Sequence, residues 1–126
     1  MSICGIPKTI DNDIPLIDRS FGFNTAVAES IKFIDSAEIE STSAENGIGI
    51  VRLMGRYCGY IAVQATLASR DVNICLIPEV YFQLYGAEGV YERIIARAKK
   101  RGHCVVVVAE GAEDGMIDEE KELMRQ

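Results

Sequence analysis

The run Cys104–Ala109, CVVVVA, carries no polar alternation. A strand with one wet face alternates apolar and polar residues, because successive side chains point to opposite sides of the sheet. A strand apolar at every position must be covered on both faces, which is the habit of parallel sheets sandwiched between helices. Three other short apolar runs read as strands: Ser2–Ile6, Ile48–Met54 (IGIVRLM) and Asn73–Ile77 (NICLI). Between them the spacing turns helical. From about Phe21 to Ala44 a stripe of Ala26, Val27, Ser30, Ile31, Ile34 and Ala37 predicts a long helix, with Asn46-Gly47 as its stop. Tyr57–Ser69 is a small-residue helix suited to close packing. Ala87–Arg101 turns Val90, Ile94, Ile95 and Ala98 inward and ends in Lys99, Lys100 and Arg101, cations that suit a helix C-terminus. The order β-α-β-α-β-α-β predicts an α/β chain: three layers, a mainly parallel sheet with helices on both faces. Its first strand starts almost at residue 1, so residues 1–115 are expected to be part of a larger domain. Residues 116–126 are expected to form a charged, fraying tail.

Composition narrows the function classes. The 126 residues suit one domain, and 48% hydrophobic with 25% charged residues is ordinary for a globular chain. A net charge of −6 argues against binding a nucleic-acid backbone, though a few local cations still suffice for an anion site. No apolar run reaches the roughly 18–20 residues of a membrane span, and the N-terminus lacks the pattern of a signal peptide. The expected location is the cytoplasm, with no membrane partner. Cys4, Cys58, Cys75 and Cys104 stand far apart, with no CxxC pair and one histidine, which argues against a metal–thiolate centre. Cys4, Cys75 and Cys104 lie in apolar runs and are expected to be reduced and buried.

In an open parallel sheet, ligands bind beyond the carboxyl ends of the strands. Those ends carry Lys8, Thr9, Asp11 and Asp13; then Met54, Gly55 and Arg56; then Pro78 and Glu79; then Glu110 and Gly111. Side chains from four strand ends thus converge on one edge. Asp11 and Asp13, beside a lysine, suit proton transfer from a hydroxyl; an Asx-rich turn accounts for the same spacing equally well. Arg56, expected at the start of the glycine-rich helix, offers a guanidinium fork near free N–H groups, an arrangement that holds phosphate. A plain surface arginine is the alternative. GRYCG is neither a Walker loop nor a GxGxxG fingerprint. Glu110 is placed to bind sugar hydroxyls or to cap a loop. Glu79, His103 and the AKKR run (98–101) are read as structural or solvated, and Arg19 has no assigned part.

Five ordered motifs then resemble the 6-phosphofructokinases: GIPKTIDND (5–13), FGFNTA (21–26), LMGRYCGYIA (53–62), LIPE (76–79) and VVVAEG (106–111). Lys8, SAENGIG (43–49) and QATLASRDVN (64–73) bring the sequence nearest the long-chain plant and protist type. The resemblance implies a Rossmann-like phosphofructokinase fold and transfer of phosphate from ATP, with Mg²⁺, to the 1-hydroxyl of fructose 6-phosphate, a glycolytic step. It implies that Asp11 is the proton acceptor and that Lys8, Thr9 and Asp13 join the catalytic set, Asp13 also as a magnesium ligand. Thr9, Ile10, Asp11, Met54, Gly55 and Arg56 would bind the sugar phosphate, and Glu110 its ring hydroxyls. It also implies a homo-oligomer, a tetramer by the family's pattern, in the cytoplasm or, with a transit peptide, in plastids.

Two departures qualify the likeness. Gly47 stands about where bacterial members carry an arginine supplied to a neighbouring subunit's site. The family's glycine-rich donor loops, its GGD motif, and the arginine and histidine that hold the 6-phosphate do not occur in these 126 residues. The donor-binding residues are therefore unassigned. Pyrophosphate is the alternative donor, and a non-catalytic subunit or inactive fragment the alternative role. The isolated chain is expected to show no kinase activity.

Overall fold

The computed structural model describes residues 1–116. Helix α1 (Phe23–Thr42) leads into strand β1 (Gly47–Leu53), then α2 (Tyr60–Ser69), β2 (Ile74–Leu76), α3 (Val90–Arg101) and β3 (His103–Ala109). A short 3₁₀ turn, Ala112–Gly115, follows. The strands form one parallel sheet in the order β1-β3-β2. β3 sits in the centre, as its uninterrupted apolar run requires.

Alternate residues of β3 face opposite helical layers. Val105 and Val107 join Phe23, Ala26, Val27 and Ile34 of α1 and Ile61, Ala62 and Ala65 of α2 in one core. Cys104 and Val106 join Val90, Ile94 and Ala98 of α3 in another. Small residues on α2 let it lie close to the sheet, with Ala62 and Ala65 fully buried. Burying an Ile or Val side chain is worth about 1.5–3 kcal/mol, so Ile34, Ile61, Val105 and Val107 dominate the first core. On the second face the cover is partial: Ile48 and Ile50 of β1 stay exposed beside α3.

Element ends follow backbone chemistry. Asn46, with φ 55°, turns the chain out of α1's last turns into β1, as Asn-Gly predicts. Gly102 closes α3 in the left-handed region, its N–H bonding the Ala98 carbonyl at 2.7 Å. Asn73 exchanges two bonds with Val105: its N–H donates to the Val105 carbonyl, and its Oδ1 accepts the Val105 N–H, each at 2.9 Å. A side chain thereby replaces one rung of the ladder, and β2 begins after Asn73.

Three expectations fail here. Residues 1–9, including Ser2–Ile6, belong to no strand and are almost wholly exposed. A strand draws its hydrogen bonds from a neighbour, and neither β1 nor β2 pairs with this run. Cys4 is consequently exposed, not buried, while Cys104 is buried and Cys75 half-buried. Helix α2 starts at Tyr60, three residues later than expected, because Gly55 to Gly59 form a turn. Of the expected tail, Met116 is buried and bridges to Phe82; residues 117–126 lie outside the described residues.

Candidate active site at the strand ends

The register sets Leu53 beside Ala109 and Leu76 beside Val108, so all three strands end at one rim. Met54-Gly55-Arg56, Pro78-Glu79 and Glu110-Gly111 emerge there, and the segment carrying Asp11 crosses the same rim. A cleft of about 340 Å³ opens between them, lined by Ile10, Asp11, Asp13, Met54, Arg56, Tyr57 and Glu110. A contiguous groove of about 280 Å³ adds Arg52 and Leu53 to Met54 and Glu110. A larger cavity, about 580 Å³, runs along the free edge of β2, lined by Ile74, Leu76, Val80, Phe82 and Val90 among others. Its exposed Glu88–Arg93 pair, at 3.3 Å, holds little chemistry, so the smaller cleft with converging carboxylates and guanidinium is the candidate site.

The wall of the cleft is built from interlocked backbone. Glu110 N–H donates to the Leu53 carbonyl at 2.8 Å, and Gly111 N–H to the Gly55 carbonyl at 2.9 Å, continuing the β1–β3 ladder past the strands. Gly55 has φ 130°, which favours glycine. A Cβ on Gly111 would fall on the Arg56 carbonyl oxygen, so this position has no room for a side chain. Side chains stand on that frame. The Glu110 carboxylate lies 3.7 Å from the Arg52 guanidinium and 3.6 Å from that of Arg56. Both arginines are exposed and Glu110 is half-buried, so each pair is worth no more than about 1 kcal/mol and yields readily to a competing anion.

The loop opposite is held by side chains. Asp11 N–H donates to Thr9 Oγ1 at 3.2 Å. Asn12, at φ 60°, donates from Nδ2 to the Asp18 carbonyl (3.3 Å) and accepts the Ser20 N–H on Oδ1 (2.7 Å). Arg19 donates to Asn24 Oδ1, tying the loop to the first turn of α1. Burial first, then the neighbouring Asp13 charge, pushes the Asp11 carboxyl above its ordinary value. Glu110 adds to that push, while the Arg56 N–H and guanidinium oppose it. Asp11 is thus a strengthened base beside a cation.

Among the described residues no cluster of three or more His, Cys, Asp or Glu forms a protein-only metal cage. Asp11 and Asp13, two carboxylates on one cleft wall, fit a different type of site. Magnesium is commonly held by one or two carboxylates together with phosphate oxygens of a substrate.

The structure brings Ile10, Asp11, Asp13, Met54, Arg56 and Glu110 to one cleft; Gly55 does not line it but joins its wall through the Gly111 N–H bond. Lys8 and Thr9 do not line it; Lys8 is exposed, and Thr9 braces Asp11 from behind. Arg56 is not at a helix N-terminus, since α2 begins four residues later. That terminus is instead occupied by Glu79, whose Oε1 accepts the Gly59 N–H at 2.8 Å. Arg52, Tyr57 and Cys58 escaped the sequence reading. A polar Arg52 inside an otherwise apolar strand was the available signal for the first; nothing local marked the other two.

Comparison with known proteins identifies the family. The sequence profile of the family named Phosphofructokinase matches residues 1–126. ATP-dependent 6-phosphofructokinase 1 of Arabidopsis thaliana is 60% identical over 119 residues, 94% of this chain and 25% of its own length. ATP-dependent 6-phosphofructokinase of Amycolatopsis methanolica is 45% identical over 94% of this chain and 26% of its own. Phosphofructokinase from Saccharomyces cerevisiae superposes with TM-score 0.67 at 28% identity, over 86% of this chain and 14% of that one. The chain spans about a quarter of the length of the curated relatives it matches. With the profile covering every residue and the parallel sheet superposing on solved members, the chain belongs to the phosphofructokinase family.

Proposed function

We propose that this chain supplies the acceptor-sugar side of an ATP-dependent 6-phosphofructokinase, which moves the terminal phosphoryl group of ATP to the 1-hydroxyl of fructose 6-phosphate. The observation that carries the reading is the meeting of Asp11, Arg56 and Glu110 in one cleft, from segments 45 and more residues apart in the chain. ATP as donor rests on the plant relative's name at 60% identity; a pyrophosphate-dependent enzyme from Nitrosospira multiformis is 30% identical.

Phosphoryl transfer asks for positioning, neutralisation of the transferred oxygens and a base for the attacking hydroxyl. Asp11 accepts the proton of the 1-hydroxyl; its raised affinity for protons suits that work, since a base nearer neutrality drives the transfer better. Arg56 leaves its weak pairing with Glu110 to hold the anionic sugar, against the backbone of Met54 and Gly55. Glu110, beside Arg52 at 3.7 Å, accepts hydrogen bonds from ring hydroxyls. Asp13 would hold Mg²⁺ jointly with phosphate oxygens, and the ion would neutralise charge on the transferring group.

The reading also carries a homo-oligomeric enzyme, checked by its sedimentation, and a cytoplasmic location. Arabidopsis relatives 4 and 5 are named chloroplastic, and no helix among the described residues is long and apolar enough to cross a membrane. The decisive test is Asp11→Asn in the full-length protein, assayed with fructose 6-phosphate and either ATP or pyrophosphate. Turnover should fall by about 10²-fold or more, given what a general base contributes. Near-normal kcat would remove Asp11 from the chemistry, and activity with pyrophosphate alone would reverse the donor.

A further inference from the structure

Resting on that reading of Asp11, we infer that Asn12 and Cys58 are positioning residues that fix the Asp11 backbone from its two sides. The Cys58 thiol, buried and 47 residues away in sequence, donates to the Asp11 carbonyl with Sγ 3.4 Å from the oxygen. Cys58 stands two residues before Tyr60, the first residue of α2. One side-chain hydrogen bond therefore ties the segment just before α2 to the residue that carries the base. Burial raises the Cys58 proton affinity, so the group remains a thiol and keeps its donor.

On the other side, Asn12 closes an eight-residue loop with its own amide. Its Oδ1 accepts from Ser20 N–H and its Nδ2 donates to the Asp18 carbonyl, while its backbone stays at φ 60°. Asparagine tolerates that conformation and supplies both hydrogen-bonding functions at once. Neither residue lines the cleft, so each is placed to act through Asp11. Their work is to hold the Asp11 carboxylate at one distance from the sugar hydroxyl, and displacement of a reacting group by about 1 Å can cost on the order of 10²-fold in rate.

The test is a set of variants in the full-length protein, each assayed for kcat, for KM toward fructose 6-phosphate and for thermal midpoint. Asn12→Gly keeps the left-handed backbone but removes both side-chain bonds. Cys58→Ala removes the thiol donor, and Cys58→Ser restores a donor of similar shape. Expected are kcat losses of about 10- to 100-fold for Asn12→Gly and Cys58→Ala. KM should stay within about threefold, because Arg56 and Glu110 are unmoved, and Cys58→Ser should recover most of the loss. In an Asp11→Asn background, Asn12→Gly should cost almost nothing further, since a residue acting through Asp11 has nothing left to position. Equal losses on both backgrounds, or kcat that tracks the thermal midpoint across all variants, would overturn the inference. If Asp11→Asn itself leaves kcat intact, the function assigned to Asp11 fails first; an Asn12→Gly loss would then be unrelated to it.

Discussion

The two sides of the cleft are made in different ways. The wall at Leu53–Arg56 and Glu110–Gly111 is an extension of the β1–β3 ladder, with backbone bonds of 2.8 and 2.9 Å and no space for a side chain at Gly111. The loop at Ile10–Asp13 contributes no strand or helix; single side chains, Thr9, Asn12 and Cys58, hold it. A backbone frame gives way as a unit, so changing it should cost stability. A loop tied by side chains can shift by a fraction of an ångström while the fold survives, so changing it should cost rate. The wall carrying Arg56 and Glu110 is thus part of the scaffold, and the loop carrying Asp11 is an attachment to it.

The largest expected effect breaks the wall. Gly111→Ala should destabilise the fold by about 3 kcal/mol, read as a lower denaturant midpoint, because its Cβ meets backbone that cannot turn aside. A neutral result would mean the wall is as pliable as the loop. Next, Arg56→Lys should raise KM for fructose 6-phosphate about 10-fold with stability nearly unchanged, since a point charge replaces a two-pronged donor whose existing ion pair is weak. An unmoved KM would place the sugar elsewhere. Smaller still, Glu79→Gln should cost about 0.5–1 kcal/mol of stability and leave KM alone, because its charge serves the α2 terminus rather than the cleft.

The smallest effect concerns Asp11 and has a definite sign. Its carboxyl binds protons more tightly in the fold than in the open chain. Its contribution is therefore favourable below the ordinary carboxylate value and is lost as pH rises through the folded value. Asp11→Asn should raise the thermal midpoint slightly at pH 7, and that gain should vanish in acid. A gain that persisted in acid would show that burial of charge is not its source.

Much of this was legible from local pattern. Helix α1 was expected from about Phe21 to Ala44 and runs Phe23–Thr42; the CVVVVA run predicted a strand covered on both faces, and β3 is that strand. The residues expected at the strand ends, Asp11, Arg56 and Glu110, do share a cleft. One site detail and one strand depart from the sequence expectation for the same physical reason, dependence on a distant partner. Arg56 was assigned to a helix N-terminus, and that terminus belongs to Glu79, twenty residues downstream of Gly59. Likewise, Ser2–Ile6 has strand-like composition, and among the described residues no strand pairs with it.

Periodicity and composition determined the helices α1 to α3, the strands β1 to β3 and their parallel arrangement, though not the fate of Ser2–Ile6, because those preferences arise within a few residues of each position. The strand order β1-β3-β2, the seat of Glu79 on α2 and the thiol of Cys58 against the Asp11 carbonyl were settled only by the tertiary structure. Each is a hydrogen bond or contact between residues far apart in the chain, and such pairings are chosen by how whole layers pack rather than by the residues beside them.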